Sequence, residues 1–397
     1  MHTSDFINRI SESETLAAAR IARELKAQGK DVIALNIGEP DFNTPDFIKE
    51  AAINAINNNY SKYPPVNGYL ELREAISKKF KRDNNLDYSA DQIVVSTGAK
   101  HSIVNVVLSL VNPGDEVLLF SPYWVSYKAM GELSGATVVE AFAGVEKDYK
   151  IDADLLREKL SDKTRLVMFS SPCNPTGSVY TEAELKSLAK VLVDYPNAII
   201  ISDEIYEHIN FIGKHVSIGT FPELKDRVVT VNGVSKGFAM TGYRIGYIGA
   251  PMWIAKACAT LQGQFTSGAC GISQMAAKAA VESDPKDLNY MQVAFEKRKK
   301  IVVDALTQIE GIKVNDPTGA FYVFPEVSGF YGKKMPDGGI INSATDFCTY
   351  LLETQYLSVV TGQAFGAEHC FRISYATSEE ELVRAMERIK TAVSLLV

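Results

Sequence analysis

Two segments of this chain combine ionisable residues with the end of a short apolar run. Lys236 and Arg244 are the only charged residues between positions 231 and 246. Most lysines are surface groups, but one set among small and apolar residues is a candidate buried amine with a lowered pKa. Asp203 and Glu204 follow the apolar run 198–201. Two carboxylates at the end of a buried strand are costly unless they are partnered or exposed, and solvated acids at a helix start are the alternative.

Two further segments have a backbone suited to binding. Gly98-Ala99-Lys100 opens a helical pattern after the run 93–95, where free amides and the helix dipole favour an anion. An ordinary strand-to-helix turn is the alternative. Pro172 and Pro175 flank Asn174 and suit a rigidly aimed amide, although loops of this composition are common.

The elements that must position these residues alternate along the middle of the chain. Helical patterns cover about 100–111 and 182–193, and the apolar runs predict five strands: 93–95, 117–120, 166–169, 198–201 and 228–231. Strands that are apolar on both faces and separated by helices predict an α/β fold with a mostly parallel sheet covered on both sides. Ligands of such sheets bind at the carboxyl ends of the strands.

The final third has a different pattern. A charged helix is predicted over about 288–308, with short strands at 319–323, 357–360 and 371–374. Ser378 and Glu381 form a candidate capping box for the last helix. We interpret this region as a smaller α+β unit, which residues 31–35 join from the N-terminal side.

Bulk properties restrict the class of protein. A chain of 397 residues favours two packed units. The net charge of −7 and pI near 5.5 argue against nucleic acid or an anionic membrane as a partner. We find no signal peptide, no membrane span and no metal signature. The five cysteines lack paired spacing, which favours reduced thiols in a cytoplasm.

Taken in order, the segments resemble the class I/II aminotransferases of fold type I, close to the bacterial aspartate aminotransferase subgroup. The resemblance runs from about residue 10 to the C-terminus. Its motifs are GEPDF (38–42), KYPPVNG (62–68), STGAK (96–100), SPYWVSY (121–127), SPCNPTG (171–177), SDEIYEH (202–208), SKGFAMTGYRIGY (235–247) and FRISYATS (371–378).

The resemblance implies the domain organisation. It implies an N-terminal arm over 1–20, a large domain over 48–292 that binds pyridoxal 5′-phosphate, and a small domain built from 21–47 and 293–397. It also implies a homodimer with shared active sites.

In such enzymes the lysine at the position of Lys236 forms a Schiff base with the cofactor and then acts as general base and acid. Asp203 would pair with the pyridine nitrogen. Asn174 and Tyr206 would donate hydrogen bonds to the ring O3′, and Trp124 would stack on the ring.

The resemblance also implies a phosphate site and a substrate site. The phosphate site would consist of Gly98, Ala99, Lys100, Ser235 and Arg244, with Tyr63 reaching in from the neighbouring subunit. The substrate site would consist of Arg372, which binds the α-carboxylate bidentately, together with Gly38, Trp124 and Asn174. Ser13 and Thr15 resemble a mobile N-terminal lid, although Glu12 stands where relatives often have proline.

In this subgroup a lysine at the position of Lys100 contacts the distal carboxylate of acidic substrates. It therefore favours transfer from aspartate to 2-oxoglutarate by a ping-pong mechanism; an exposed, solvated lysine is the competing interpretation. Aromatic amino acid or prephenate transamination is the nearest alternative function. A cofactor-dependent cysteine-sulfur β-lyase is more distant.

The GxSxG pattern at 233–237 also matches the nucleophile elbow of α/β-hydrolases. That fold needs an acid and then a histidine downstream, and His369 is the only histidine after position 215. Regulatory relatives usually carry an additional DNA-binding domain, for which this chain has no room.

Overall fold

The predicted alternation of helices and strands is present in the computed structural model, which describes residues 2–12 and 14–397. The α-helices are α1 Glu14–Ala27, α2 Asp46–Asn57, α3 Leu70–Lys79, α4 Ala99–Leu110, α5 Ser126–Ser134, α6 Ala153–Lys159, α7 Glu182–Val193, α8 Met252–Phe265, α9 Gly271–Glu282, α10 Asn289–Leu306, α11 Ala344–Gln355 and α12 Glu379–Ser394. The strands are β1 Ile33–Ala34, β2 Ile93–Ser96, β3 Glu116–Ser121, β4 Thr137–Phe142, β5 Thr164–Ser170, β6 Ile199–Asp203, β7 Val228–Gly233, β8 Gly246–Gly249, β9 Tyr322–Val323, β10 Leu357–Ser358, β11 Val360–Thr361 and β12 Phe371–Ser374.

A seven-stranded sheet organises the middle of the chain in the order β2-β8-β7-β6-β5-β3-β4. β8 runs antiparallel to both of its neighbours, and the other pairs are parallel. The predicted α/β fold with a mostly parallel sheet is therefore confirmed. All five predicted strands of this sheet are present, whereas β4 and β8 were not predicted.

Alternate residues of the central strands pack on opposite faces of this sheet. Leu166 and Met168 belong to one apolar cluster, with residues of α4 and α8. Val167 and Phe169 belong to another, with residues of α7. Because side chains alternate along a strand, a sheet that is apolar on both faces needs helices on both sides, as observed.

The last third contains small sheets and long helices, as predicted, but two details differ. The predicted strand 357–360 divides into β10, which pairs with β1, and β11, which pairs with β12. Of the predicted run 319–323, only Tyr322–Val323 is a strand. Half of the capping box is present: Ser378 accepts from the Glu381 amide, while the Glu381 carboxylate bonds to Arg384.

Within the described residues, no helix is both long and apolar enough to cross a membrane. The five cysteines are free thiols. The boundaries of the arm and of the two domains stay predictions.

Candidate active site

A cavity of about 370 Å³ lies at the carboxyl ends of the large sheet. It collects side chains that follow β2, β3, β5, β6 and β7, because the parallel strands all end at this edge. Most of the predicted site residues line it: Thr15, Gly38, Ala99, Lys100, Trp124, Asn174, Asp203, Tyr206, Ser235, Lys236, Arg244 and Arg372.

Two of the described predicted residues, Gly98 and Tyr63, do not line the cavity. Gly98 is next to it, at the start of α4. Tyr63 is away from it and is 94% exposed. Ser13 lies outside the described residues.

Lys236 follows β7, and its partners in the cavity are neutral. Its Nζ donates a 2.5 Å hydrogen bond to the Gly38 carbonyl and lies 5.9 Å from the centroids of the Tyr206 and Phe321 rings. Burial and the charge of Arg372 lower the pKa of the Lys236 amine to about 8. About a tenth of this amine is therefore unprotonated at pH 7, against less than a thousandth of a lysine with the ordinary pKa of 10.5. The unprotonated form is the one that a nucleophile or general base requires.

Asp203 is the last residue of β6 and is buried. Its Oδ2 accepts a 2.7 Å hydrogen bond from the Tyr127 hydroxyl, and its Oδ1 accepts from the Ile205 amide at 3.2 Å. Burial raises the pKa of the Asp203 carboxyl to about 6, although the Tyr127 hydrogen bond favours the ionised form. The carboxyl is thus mostly ionised at pH 7, and its hydrogen-bond donors within the described chain include no ammonium or guanidinium.

Arg372 extends from β12 into the cavity and is 2% exposed. It donates to Asn174 Oδ1 at 3.0 Å and to the Asn36 carbonyl at 2.7 Å. Its Nε is buried without a partner in the described part of the chain. A buried guanidinium that bonds only neutral oxygens is suited to binding a carboxylate from outside.

The start of α4 forms a second cationic region. His101 and Ser102 donate the first hydrogen bonds of this turn to the Gly98 carbonyl, which leaves the Ala99 and Lys100 amides at the open end. Gly98 has φ +82°, and a Cβ there would clash with the Arg244 guanidinium. Glycine at this position therefore lets Arg244 approach the helix start.

Lys100 and Trp124 form a contact at the cavity wall. The Lys100 ammonium lies 4.9 Å from the Trp124 ring centroid. Burial and the charge of Arg244 lower the pKa of Lys100.

Sequence reasoning missed several lining residues of the cavity, and four of them form hydrogen bonds there. Tyr127 bonds Asp203, and Tyr322 bonds the Tyr206 hydroxyl at 2.7 Å. Glu39 and Thr241 line the cavity and bond each other. Tyr127 and Glu39 lie within the motifs SPYWVSY and GEPDF, but neither carried a signal that distinguished it from its neighbours.

Known proteins resemble this chain over nearly its whole length. It is 47% identical over 389 residues to a protein of Rhizobium leguminosarum bv. phaseoli named probable aspartate/prephenate aminotransferase, covering 98% of this chain and 97% of the relative. It is 45% identical over 390 residues to the bifunctional aspartate aminotransferase and glutamate/aspartate-prephenate aminotransferase of Petunia hybrida, covering 97% of this chain and 81% of the relative.

Solved structures agree with the sequence relatives. The crystal structure of the aspartate aminotransferase from Rhizobium meliloti matches with a TM-score of 0.97 and 41% identity, over 100% of both chains. The Thermus thermophilus aspartate aminotransferase with maleate matches with a TM-score of 0.92 and 37% identity, over 99% of this chain and 100% of the other. Residues 30–389 match the family described as aminotransferase class I and II. The chain therefore belongs to the class I and II aminotransferase family and is an aminotransferase of fold type I.

Proposed function

We propose that this aminotransferase holds pyridoxal 5′-phosphate on the Lys236 amine and moves an amino group from aspartate to 2-oxoglutarate by a ping-pong mechanism. Its family depends on this cofactor. The observation that carries the proposal is an amine with a pKa of about 8 in the same cavity as a buried carboxylate and a buried guanidinium.

The residues of the cavity suit the parts of the cofactor. Asp203 offers an ionised carboxylate to the protonated ring nitrogen, since its existing donors are a phenol and an amide. The open end of α4, the Ser235 hydroxyl and Arg244 offer donors to the phosphate. Gly98 keeps that region free of a side chain.

When bound, the cofactor supplies a ring that accepts electrons from the substrate's α-carbon. Lys236 would move the proton between that carbon and the cofactor, since an amine with a pKa of about 8 both accepts and releases a proton near neutral pH. Asn174 uses its carbonyl oxygen for Arg372, so its amide hydrogens are left to donate to the ring O3′. Tyr206 donates to the same oxygen, and Trp124 stacks on the ring.

Arg372 and Lys100 define the proposed substrate. Arg372 binds the α-carboxylate with the donors that Asn174 and Asn36 leave free, assisted by the Gly38 amide, and Lys100 binds the distal carboxylate. The names of the relatives support aspartate, and they favour prephenate as a second candidate substrate. Thr15 lines the cavity and would cover it together with Ser13.

We further propose a homodimer in which Tyr63 contacts the phosphate of the neighbouring subunit. A tyrosine that is 94% exposed and away from its own cavity suits a contact in trans. Gly268 lies beside Pro64 and Val66, and Phe265, three positions before Gly268, is 63% exposed. Exposed aromatic side chains are typical of protein interfaces. Sedimentation velocity would test the dimer. The five free thiols support a reducing, cytoplasmic location.

The test is reduction with borohydride followed by peptide mapping. We expect a yellow protein that borohydride bleaches while it fixes the cofactor on Lys236. The Lys236→Ala variant should carry no fixed cofactor, and the control Lys313→Met, at an exposed lysine outside the cavity, should be labelled normally. A panel of amino acids added to the yellow protein should bleach its visible band, aspartate and glutamate most efficiently. Labelling of another lysine, or a wild-type protein that stays colourless with added cofactor, would refute the proposal.

A further inference from the structure

Tyr322 connects two parts of the cavity that were assigned separate roles above. Its side chain is fully buried in the protein and lines the cavity. Its hydroxyl lies 2.7 Å from the Tyr206 hydroxyl, and the centre of its ring lies 4.6 Å from the guanidinium carbon of Arg372.

The hydrogen bond between the two hydroxyls has a defined donor once a ligand accepts a hydrogen bond from Tyr206. A phenol has one proton to donate. If Tyr206 donates a hydrogen bond to the cofactor oxygen, the hydrogen bond between the two tyrosines must be donated by Tyr322. A donor on the Tyr206 oxygen polarises its O–H group and makes it a stronger donor in turn.

The ring of Tyr322 has a different task. Arg372 is buried, and its hydrogen bonds within the protein go to two neutral oxygens. The faces of Tyr322 and Phe365, at 4.6 and 5.0 Å from its central carbon, add attraction for the cation. An aromatic face holds a desolvated guanidinium in place without neutralising its charge.

We infer that Tyr322 is a positioning residue with two separable parts: its hydroxyl fixes Tyr206 as a donor to the cofactor, and its ring orients Arg372 for the substrate carboxylate. This inference rests on the proposed function. The two parts can be tested separately. Tyr322→Phe removes only the hydroxyl, and Tyr322→Leu removes the hydroxyl and the ring, so the difference between the two variants reports the ring.

Tyr322→Phe should change the cofactor environment alone. Tyr206 becomes a weaker donor to the ring oxygen, so the pH midpoint of the visible absorption band should rise by about 0.5 to 1 pH unit, the equivalent of one neutral hydrogen bond. The dissociation constant for maleate, an unreactive dicarboxylate, should not change. Tyr206→Phe should raise the midpoint further, and adding Tyr322→Phe to it should have no additional effect.

Tyr322→Leu should also weaken dicarboxylate binding. Loss of the ring beneath Arg372 should raise the maleate dissociation constant by about 2- to 30-fold. If this variant does not fold, Tyr322→Phe and the double variant still carry the test. Tyr375→Phe is the matched control, since Tyr375 is equally buried and its hydroxyl bonds the Ala320 carbonyl at 3.1 Å; its midpoint and maleate affinity should equal those of the wild type.

The outcomes separate this inference from the proposed function. A wild-type protein without a visible band refutes the proposed function and the inference with it. A yellow wild type and a Tyr322→Phe variant with the same midpoint refute the inference alone. Additive shifts in the double variant also refute it, because Tyr322 would then act without Tyr206.

Discussion

Asp203→Asn is expected to stabilise the cofactor-free protein at alkaline pH, although it removes a residue placed in the active site. The pKa of the Asp203 carboxyl is about 6 in the folded protein against 3.8 in the unfolded chain. A folded pKa above the unfolded one means that the carboxyl's favourable contribution is present below about pH 4 and is lost as the pH rises through 6. A difference of 2.2 pKa units corresponds to about 3 kcal/mol of unfolding free energy.

Urea denaturation of the cofactor-free proteins measures this difference directly. Asparagine has no charge to bury and keeps an oxygen that accepts from Tyr127. The variant should exceed the wild type by about 3 kcal/mol at pH 8 and by about half of that at pH 5, where the folded carboxyl is mostly protonated. Asp226→Asn, which removes an exposed carboxylate, is the control and should show no such pH-dependent gain.

This reasoning would be refuted if the variant and the wild type differed in stability by the same amount at pH 5 and pH 8. It would also be refuted if the wild type were more stable than the variant at pH 8. Bound cofactor should reverse the order. The wild-type carboxylate then gains the ring nitrogen as a partner, so the variant should bind the cofactor more weakly and transaminate more slowly. A residue whose role is to bind a ligand should lower the stability of the free protein and raise the stability of the complex.

Three further predictions concern the other charged residues. Arg372→Ala should lower kcat/KM by the equivalent of about 2–5 kcal/mol through loss of a charged pair, and unchanged steady-state values for every amino acid would overturn its role. Lys100→Ala should selectively lower kcat/KM for dicarboxylic substrates, and equal losses with aspartate and phenylalanine would count against it. Lys79 and Glu207 form a buried ion pair, in which the Lys79 charge overcomes burial and lowers the pKa of Glu207 to about 2. Lys79→Met leaves that carboxylate buried without its partner and should cost about 3–5 kcal/mol of unfolding free energy at pH 7; a urea midpoint that does not move would contradict this.

The strands and the site residues at their ends were predictable because they depend on local patterns. Largely apolar runs of three or four residues separated by helices predict a parallel sheet, and the chemistry of such sheets lies at one edge. Asp203 ends a strand, Lys236 and Asn174 each follow one, and all three line one cavity. Their roles came from the family resemblance and stay predictions.

The strands that were missed have weak local signals. β4 is the edge strand of the sheet, and its residues are mostly half-exposed and include Glu140, so no continuous apolar run marks it. β8 begins and ends with glycine, a residue that is depleted in strands. Both strands form because neighbouring strands pair with them, which a local pattern does not record.

The missed site residues depend on contacts between distant parts of the chain. Tyr127 and Asp203 are 76 positions apart, and Tyr206 and Tyr322 are 116 apart. Nothing in the sequence near Tyr322 indicates whether its hydroxyl faces a polar partner or the core. The antiparallel pairing of β9 with β12 brings its ring against Arg372, and this pairing joins segments that are distant in the sequence.

The hydrogen-bond partners of Lys236, Asp203 and Arg372 indicate what the cavity is for. A core that served stability alone would pair the Lys236 amine with the Asp203 carboxylate, because an unpaired buried charge is costly. Instead Lys236 bonds a backbone carbonyl, Asp203 bonds a phenol and an amide, and Arg372 bonds amide oxygens. Neutral dipoles hold each group in place without cancelling its charge. The charges that remain suit a ligand that carries a reactive carbonyl, a protonated ring and carboxylates, which are the features of the proposed cofactor and substrate.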